Sequence, residues 1–406
     1  MRDRYDVVVL GAGAAGIGAG RRLAAAGASF LLLEARERIG GRAWSVDGLD
    51  LGCGWLHSAD RNALAAMADG AGLKIDTTPA PWRKQSGKQG LSAAEQQDFA
   101  KTFARFEKRI DAEAEEDNPP RPASVYLEPG SRWTPMLNAV FSYISGATLD
   151  CIDAVDYARY EDTGVNWRVR EGYGALIAAL GADLPVSLCV RAEAVEHGAD
   201  RVCVRTAQGS LEARAVIVTL PTTSMASLTF RPALPEKLEA AASLPLGAAE
   251  KLYFALAQPE EFEHDGHFFA RFDSADTGSY HVNPMGRPLL EVYFGGGLAR
   301  ELAEAGGAAM ADFAKQELAG LLGSQFPSRL ALLGHSSWAT DPLALGSYSY
   351  ARPGCADARQ TLAAACGMIF FAGEACSRAR YSTAHGAFET GYQAAELALG
   401  ALQAPP

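Results

Sequence analysis

Tyr5-Asp6-Val7-Val8-Val9-Leu10-Gly11-Ala12-Gly13-Ala14-Ala15-Gly16 opens the chain and decides its fold. An apolar run ends in a turn carrying three glycines, an alanine-rich stretch from Ala14 to Ala26 follows, and Ser29-Phe30-Leu31-Leu32-Leu33 leads into Glu34. Strand, glycine turn, helix, strand and acid in that order form a dinucleotide site. Gly11 makes the tight turn, Gly13 lets backbone N–H groups approach a pyrophosphate, and Gly16 lets the helix lie close to the strand. The helix start at Ala14 and Ala15 turns its partial positive charge toward the phosphates. Glu34 is placed to accept hydrogen bonds from ribose hydroxyls.

The rest of the composition fits such a start. The 406 residues are enough for two domains with substantial cores, and 48% hydrophobic with 21% charged residues describes an α/β enzyme rather than a disordered or fibrous chain. A formal net charge of -11 argues against nucleic acid or an anionic membrane as the main ligand. The seven cysteines form no CxxC pair and no zinc spacing, which reads as free thiols and no metal site. The first strand begins near Tyr5, with no room before it for a signal peptide, and no apolar run is long enough to cross a membrane. The expected location is the cytoplasm.

Along the chain, character alternates. Residues 77–165 are more polar and punctuated by proline; there Ser92-Ala93-Ala94-Glu95 reads as a capping box, with Phe99, Phe103, Phe106 and Ile110 at helical spacing as one buried face. A second helix is expected over Thr134 to Ile144. Then come a helix over Tyr173 to Leu180, short strands around Leu188 to Val195 and Val202 to Thr206, and the apolar run Ala215 to Leu220, suited to a strand buried on both faces. Strands at Lys251 to Leu256 and Leu289 to Phe294, a helix near Met310 to Leu322, a strand at Met368 to Ala372 and a closing helix from Ala384 to Leu402 complete the pattern. The predicted fold is α/β: a Rossmann-like nucleotide-binding domain assembled from residues 1–76, 166–242 and 364–406, and an α+β substrate-binding domain formed by the insertions 77–165 and 243–363.

The residues after Glu34 narrow the cofactor. Ala35-Arg36-Glu37-Arg38-Ile39-Gly40-Gly41-Arg42 offers a Gly-Gly pair that lets backbone lie against a flat ligand, and a guanidinium fork for the pyrophosphate. A nicotinamide dehydrogenase does not need this second clasp. With it, the chain resembles the flavin-dependent amine oxidase family, whose members carry the first fingerprint, the Gly-Gly-Arg clasp and a C-terminal Gly-Glu followed by a helix. Here that last element is Phe371-Ala372-Gly373-Glu374, then Tyr381-Ser382-Thr383-Ala384-His385-Gly386-Ala387. The resemblance implies noncovalent FAD, with the closing helix aiming its positive end at the flavin pyrimidine ring.

Within the family the chain is most similar to the polyamine oxidase branch. Asp50-Leu51-Gly52-Cys53-Gly54-Trp55-Leu56-His57 resembles the segment that passes the flavin and ends in an active-site histidine. Glu250-Lys251-Leu252-Tyr253-Phe254 resembles the strand whose lysine reaches flavin N5 through a water. Ser337-Trp338 to Pro342 and Gly346-Ser347-Tyr348 look like the segment that sets a tyrosine over the flavin's substrate face, while Gly172-Tyr173-Gly174 and Val195 resemble the adenine-side elements. Ser347 stands where monoamine oxidases carry the cysteine bonded to flavin, and Thr383 takes the place of their second cage aromatic.

The resemblance implies hydride transfer from the α-carbon of an amine to flavin N5, hydrolysis of the imine, and reoxidation by dioxygen to hydrogen peroxide. Lys251 would assist reoxidation, His57 orient the amine or relay a proton, Tyr348 confine the amine, and Glu161 or Asp162 meet a distal ammonium. A dehydrogenase or desaturase of the same superfamily stays open, as does an amino acid oxidase with Arg168 or Arg170 in its pocket, and so does a flavin-binding protein without turnover. The expected partners are a small amine and dioxygen, in a monomer or homodimer.

Overall fold

The computed structural model describes residues 4–83, 91–115, 120–198 and 201–403. The strand Arg4–Leu10 lies inside an eight-stranded sheet, parallel to Phe30–Leu33 on one side and to Gly209–Val218 on the other. Beyond Phe30–Leu33 lies Val186–Ser187; beyond Gly209–Val218 lie Val202–Thr206, Ala192–His197 and Thr229–Arg231. The long strand Gly209–Val218 changes partners along its length: its start is antiparallel to Val202–Thr206, while Val216–Val218 run parallel to Ile369–Phe371. This places a strand from near the C-terminus two positions from the strand that opens the chain.

Both faces of this sheet are covered. Val7, Val9 and Ile217 pack with Ile17, Ala387 and Phe388, while Val8, Val216 and Val218 pack with Val195, Phe371 and Leu244. Burial on both sides explains the uninterrupted apolar runs in these strands. The helix Ala14–Ala25 and the closing helix Ala384–Gln403 cross at backbone contact: a Cβ on Gly18 would lie 2.2 Å from the Phe388 carbonyl oxygen, and one on Gly391 would lie 1.9 Å from that of Ala15. Glycines at the crossing bring the N-terminus of the closing helix beside the glycine turn.

The second sheet is antiparallel, in the order Gly266–Phe269, Ser279–Val282, Leu289–Gly295, Ala249–Leu256, Leu330–His335. The helix Thr134–Ser145 runs against it so closely that a Cβ on Gly295 would lie 2.3 Å from the Ser142 carbonyl oxygen. Three of the five strands carried no sequence signal. Gly266–Phe269 is buried at every position, so no in–out alternation marks it.

The long helix Ala93–Glu115 begins as its sequence predicts, with Glu95 N donating to Ser92 Oγ at 3.3 Å and Ser92 N to Glu95 Oε2 at 3.0 Å. Its aromatic stripe packs on one cluster but is unevenly buried: Phe106 and Ile110 are buried with Leu137 and Phe141, while Phe99 and Phe103, half-buried against the same cluster, also front a cavity.

Candidate active site

A single cavity of about 1060 Å³ begins at Gly11, Gly13, Ala14 and Ala15 and runs past Glu34, Ala35, Arg36 and Gly40-Gly41-Arg42. Its wall continues with Gly52, Gly54, Trp55, His57, Lys251, Trp338, Tyr348, Gly373, Glu374, Thr383 and Ala384. Residues separated by most of the chain thus share one space. Of the residues expected at the cofactor, Gly16 and Val195 lie off it. Gly16 sits beneath the turn, where a Cβ would be 2.0 Å from the Gly11 carbonyl oxygen. Val195 corrects the expectation of an adenine contact: it is fully buried in the core, because its strand turns it into the apolar layer, while Val190, Arg191 and Ala192 front the cavity.

The dinucleotide end is built on backbone. Gly11 adopts φ +103°, and Gly40 and Gly41 adopt +98° and +58°, conformations side chains rarely take. Gly13 and Gly40 pair as neighbouring backbones, and a Cβ on Gly13 would stand 3.8 Å from Gly41 Cα, in the open cavity. Glu34, 7% exposed, accepts from Ala12 N at 2.9 Å and Arg36 N at 2.8 Å, which ties the turn to the clasp. Arg36 makes a two-point pair with Asp341 at 2.8 and 2.7 Å. Arg42 donates to Glu374 Oε1 at 3.0 Å and the Ser347 carbonyl at 2.6 Å. Glu374 also accepts from Ser349 Oγ and Ser382 N. Burial opposes its ionisation, but Arg42 and these donors hold it below the usual carboxylate range.

At the other end, Tyr348 projects from the loop after Gly346. Its hydroxyl donates to the Tyr143 carbonyl and meets the Tyr293 hydroxyl at 2.9 Å. Burial pushes both phenols up, so they are hydrogen-bonding groups at neutral pH and not bases. Tyr143 stacks on Phe269 at 5.8 Å. The Ser347 hydroxyl accepts from Ala249 N at 2.9 Å and donates to its carbonyl at 2.7 Å. His57 Nδ1 lies 2.7 Å from Asn166 Oδ1, which leaves Nε2 as the ring's acceptor; burial pulls its pKa down, against Asp162 and Asn166. Thr383 Oγ1 accepts from Gly386 N at 3.0 Å and donates to the Arg380 carbonyl at 2.6 Å, capping the closing helix.

Lys251 is the least satisfied group. Its side chain is 7% exposed, Nζ lies 3.4 Å from Glu291 Oε1, and it makes no hydrogen bond among the described residues. Gly54 makes room for it, since a Cβ there would be 2.8 Å from Nζ. Glu291 is held by Arg168 Nη2 at 2.7 Å and Tyr253 OH at 3.0 Å. Burial opposes its charge, yet Arg168, Lys251 and His281 together keep it ionised far below the usual range. Arg168 is therefore committed to Glu291, and Arg170 to Asp76 at 2.6 Å; neither lines the cavity. Of the two acids expected for a distal ammonium, Asp162 is on the wall and Glu161 is not. Glu107 and Asp111 join Asp162 there. Both follow Phe103 at helical spacing, a signal the sequence does carry.

Known proteins share this layout. The family described as flavin containing amine oxidoreductase matches residues 14–139 and 134–399. The chain belongs to that family. It is 28% identical to polyamine oxidase 5 of Oryza sativa subsp. japonica over 437 aligned residues, 96% of this chain and 87% of that protein. A 73-residue stretch is 52% identical to putrescine oxidase of Kocuria rosea, covering 17% of this chain and 15% of that one. Among solved structures, a putrescine oxidase bound to putrescine superposes with a TM-score of 0.78 at 19% identity, covering 98% of this chain and 99% of that chain. Cyclohexylamine oxidase from Brevibacterium oxydans IH-35A gives 0.78 at 18%, covering 98% and 100%. As a flavin amine oxidoreductase, the protein is an FAD-dependent amine oxidase enzyme of mixed α/β fold. The cavity fits that cofactor: its glycine cradle is one that a Cβ would fill, and the buried Nζ of Lys251 lacks a hydrogen-bond partner among the described residues. Among the described residues no helix is long and apolar enough to cross a membrane, and no cluster of His, Cys, Asp and Glu stands ready for a metal.

Proposed function

We propose that the enzyme oxidises a polyamine-like or other primary or secondary amine at the carbon bearing the nitrogen, with dioxygen as electron acceptor. The observation that carries this reading is the single cavity joining the glycine turn and the Gly-Gly-Arg clasp to His57, Lys251 and Tyr348. Bound noncovalently, FAD would supply a two-electron acceptor for the α-carbon hydride and would pass the electron pair to dioxygen, giving hydrogen peroxide.

The chain's own residues bind and orient. The turn Gly11 to Ala15 holds the pyrophosphate with Arg42, and Glu34 the ribose, while Gly52, Gly54, Trp55, Trp338, Gly373, Glu374 and the helix start at Thr383-Ala384 surround the flavin. The nucleotide is gripped by residues 1–76, 166–242 and 364–406, and the substrate by 77–165 and 243–363. Tyr348, its hydroxyl fixed by Tyr143 and Tyr293, presents an aromatic face to the amine. Desolvation between apolar walls favours the neutral amine, the form whose lone pair assists loss of the α-hydrogen. His57 Nε2 accepts a proton from the amine. The Lys251 ammonium orders water and draws negative charge developing on dioxygen. Glu107, Asp111 and Asp162 meet a distal ammonium, which favours a diamine or polyamine over a monoamine. An amino acid oxidase is disfavoured because Arg168 and Arg170 are paired elsewhere.

Anaerobic mixing with polyamines, monoamines and amino acids tests the assignment. Polyamines are expected to bleach the flavin fastest, with one equivalent of peroxide per turnover once air is admitted. No bleaching by any amine refutes it.

A further inference from the structure

Lys251 sits beside an anion that pairs with it by charge without accepting a hydrogen bond from it. Glu291 Oε1 accepts from Tyr253 OH at 3.0 Å and Oε2 from Arg168 Nη2 at 2.7 Å, so both oxygens are engaged before the lysine is counted. The Nζ stands 3.4 Å from Oε1 with no hydrogen bond. The single Tyr253 hydroxyl proton faces two acceptors, Glu291 Oε1 and the Asp50 carbonyl at 3.1 Å, and is shared between them. Behind the carboxylate, His281 Nδ1 lies 3.8 Å from Oε2, its Nε2 lies 3.1 Å from Asp265, and Arg168 is stacked 4.7 Å over Trp55. Glu291 therefore cannot swing toward the lysine without breaking a buried ion pair.

A buried ammonium needs a counter-charge, and one doing work in a cavity needs its N–H donors uncommitted. We propose that Glu291 is the positioning residue for Lys251: kept occupied by Arg168 and Tyr253, its carboxylate holds the ammonium in place by charge while leaving all three N–H donors available at the cavity wall. The ring of Tyr293, 5.9 Å from Nζ, faces the ammonium from the neighbouring strand and adds attraction without accepting a hydrogen bond. The proposal rests on the reading of Lys251 as the group that assists reoxidation.

Glu291→Gln, Lys251→Met and the double variant test it, as FAD-loaded enzyme in stopped-flow reoxidation and as FAD-free protein in urea unfolding. Each single variant is expected to slow reoxidation about tenfold or more, as loss of one charged interaction implies. Anaerobic reduction by amine should change much less. The double variant should be no slower than Lys251→Met, and in the FAD-free protein the two substitutions should be non-additive. If Lys251→Met reoxidises at the parent rate, the reading of Lys251 itself fails. If Lys251→Met is slow but Glu291→Gln is not, or if the two effects multiply, the positioning role is overturned; a merely structural Glu291 would lower stability and leave reoxidation of the folded enzyme untouched. Should Glu291→Gln not fold, Tyr253→Phe keeps every charge and frees Oε1 to take an N–H from Lys251. Slowed reoxidation there supports the proposal, and the parent rate overturns it.

Discussion

Replacing Gly13 by alanine should weaken cofactor binding without harming the fold, whereas the same change at Gly16 should harm the fold itself. Gly13 has φ -77° and ψ -172°, which alanine adopts without strain. Its added Cβ would have nothing closer than Gly41 Cα at 3.8 Å, so the methyl stands in the cavity where the pyrophosphate is proposed to lie. Losing close approach of the backbone N–H groups removes a charge-assisted contact of about 1.5–3 kcal/mol, raising the Kd for FAD roughly 10- to 150-fold. The FAD-free protein should keep its stability within about 0.5 kcal/mol. At Gly16 the Cβ would lie 2.0 Å from the Gly11 carbonyl oxygen and 2.9 Å from its carbon, so backbone must move. Overpacking of that kind costs about 3 kcal/mol or more in the FAD-free protein. Fluorescence titration of FAD into apoprotein and urea unfolding separate the two effects. Parent-like FAD affinity in Gly13→Ala would place the pyrophosphate elsewhere and refute the assignment.

Burial holds His385 and His267 neutral, with pKa values down to about 3. Because the folded value is depressed, the stability each contributes is complete above the unfolded pKa and drains away as pH falls from about 6.5 toward 3. The difference in unfolding free energy between parent and His385→Leu should therefore shift by about 2 kcal/mol against the parent from pH 7.5 to 5; a constant difference would show that His385 is not held neutral. Arg359, fully buried, pairs with Asp156 at 2.7 and 2.9 Å. Arg359→Met should cost about 3–5 kcal/mol in urea unfolding by stranding that carboxylate, and a loss under about 1 kcal/mol contradicts the pairing. Thr383→Ala removes the cap on the closing helix. It should cost about 1 kcal/mol and weaken FAD binding severalfold, and parent values for both would deny the cap any role.

The legible parts of the fold are those decided over a few residues. The first strand, the glycine turn and the helix Ala14–Ala25 are local because only glycine takes the φ of Gly11 and only glycine fits against Gly11 at position 16. The capping box at Ser92 and the closing helix were readable for the same reason. Less legible were the strands Gly266–Phe269 and Ser279–Val282, which pair into a buried sheet and have no surface face to produce alternation. The stripe at Phe99 and Phe103 packs against the core as its spacing says, but spacing does not show that the same two rings also front a cavity.

By itself, then, the sequence determined a dinucleotide turn and a second clasp after Glu34, because each depends on backbone conformation within a short span, while resemblance to a family picked out His57, Lys251 and Tyr348. Tertiary structure alone decided what surrounds those residues. Lys251 and Tyr253 share one strand, but Glu291 and Arg168 come from two others, and no spacing in the chain announces that one carboxylate stands among two cations and a phenol. Nor does spacing show that Arg168 is spent on that carboxylate while one nitrogen of Arg42 reaches Glu374. Charges act through space, at a strength set by burial and distance, and the chain acquires both only when its sheets close around the cavity.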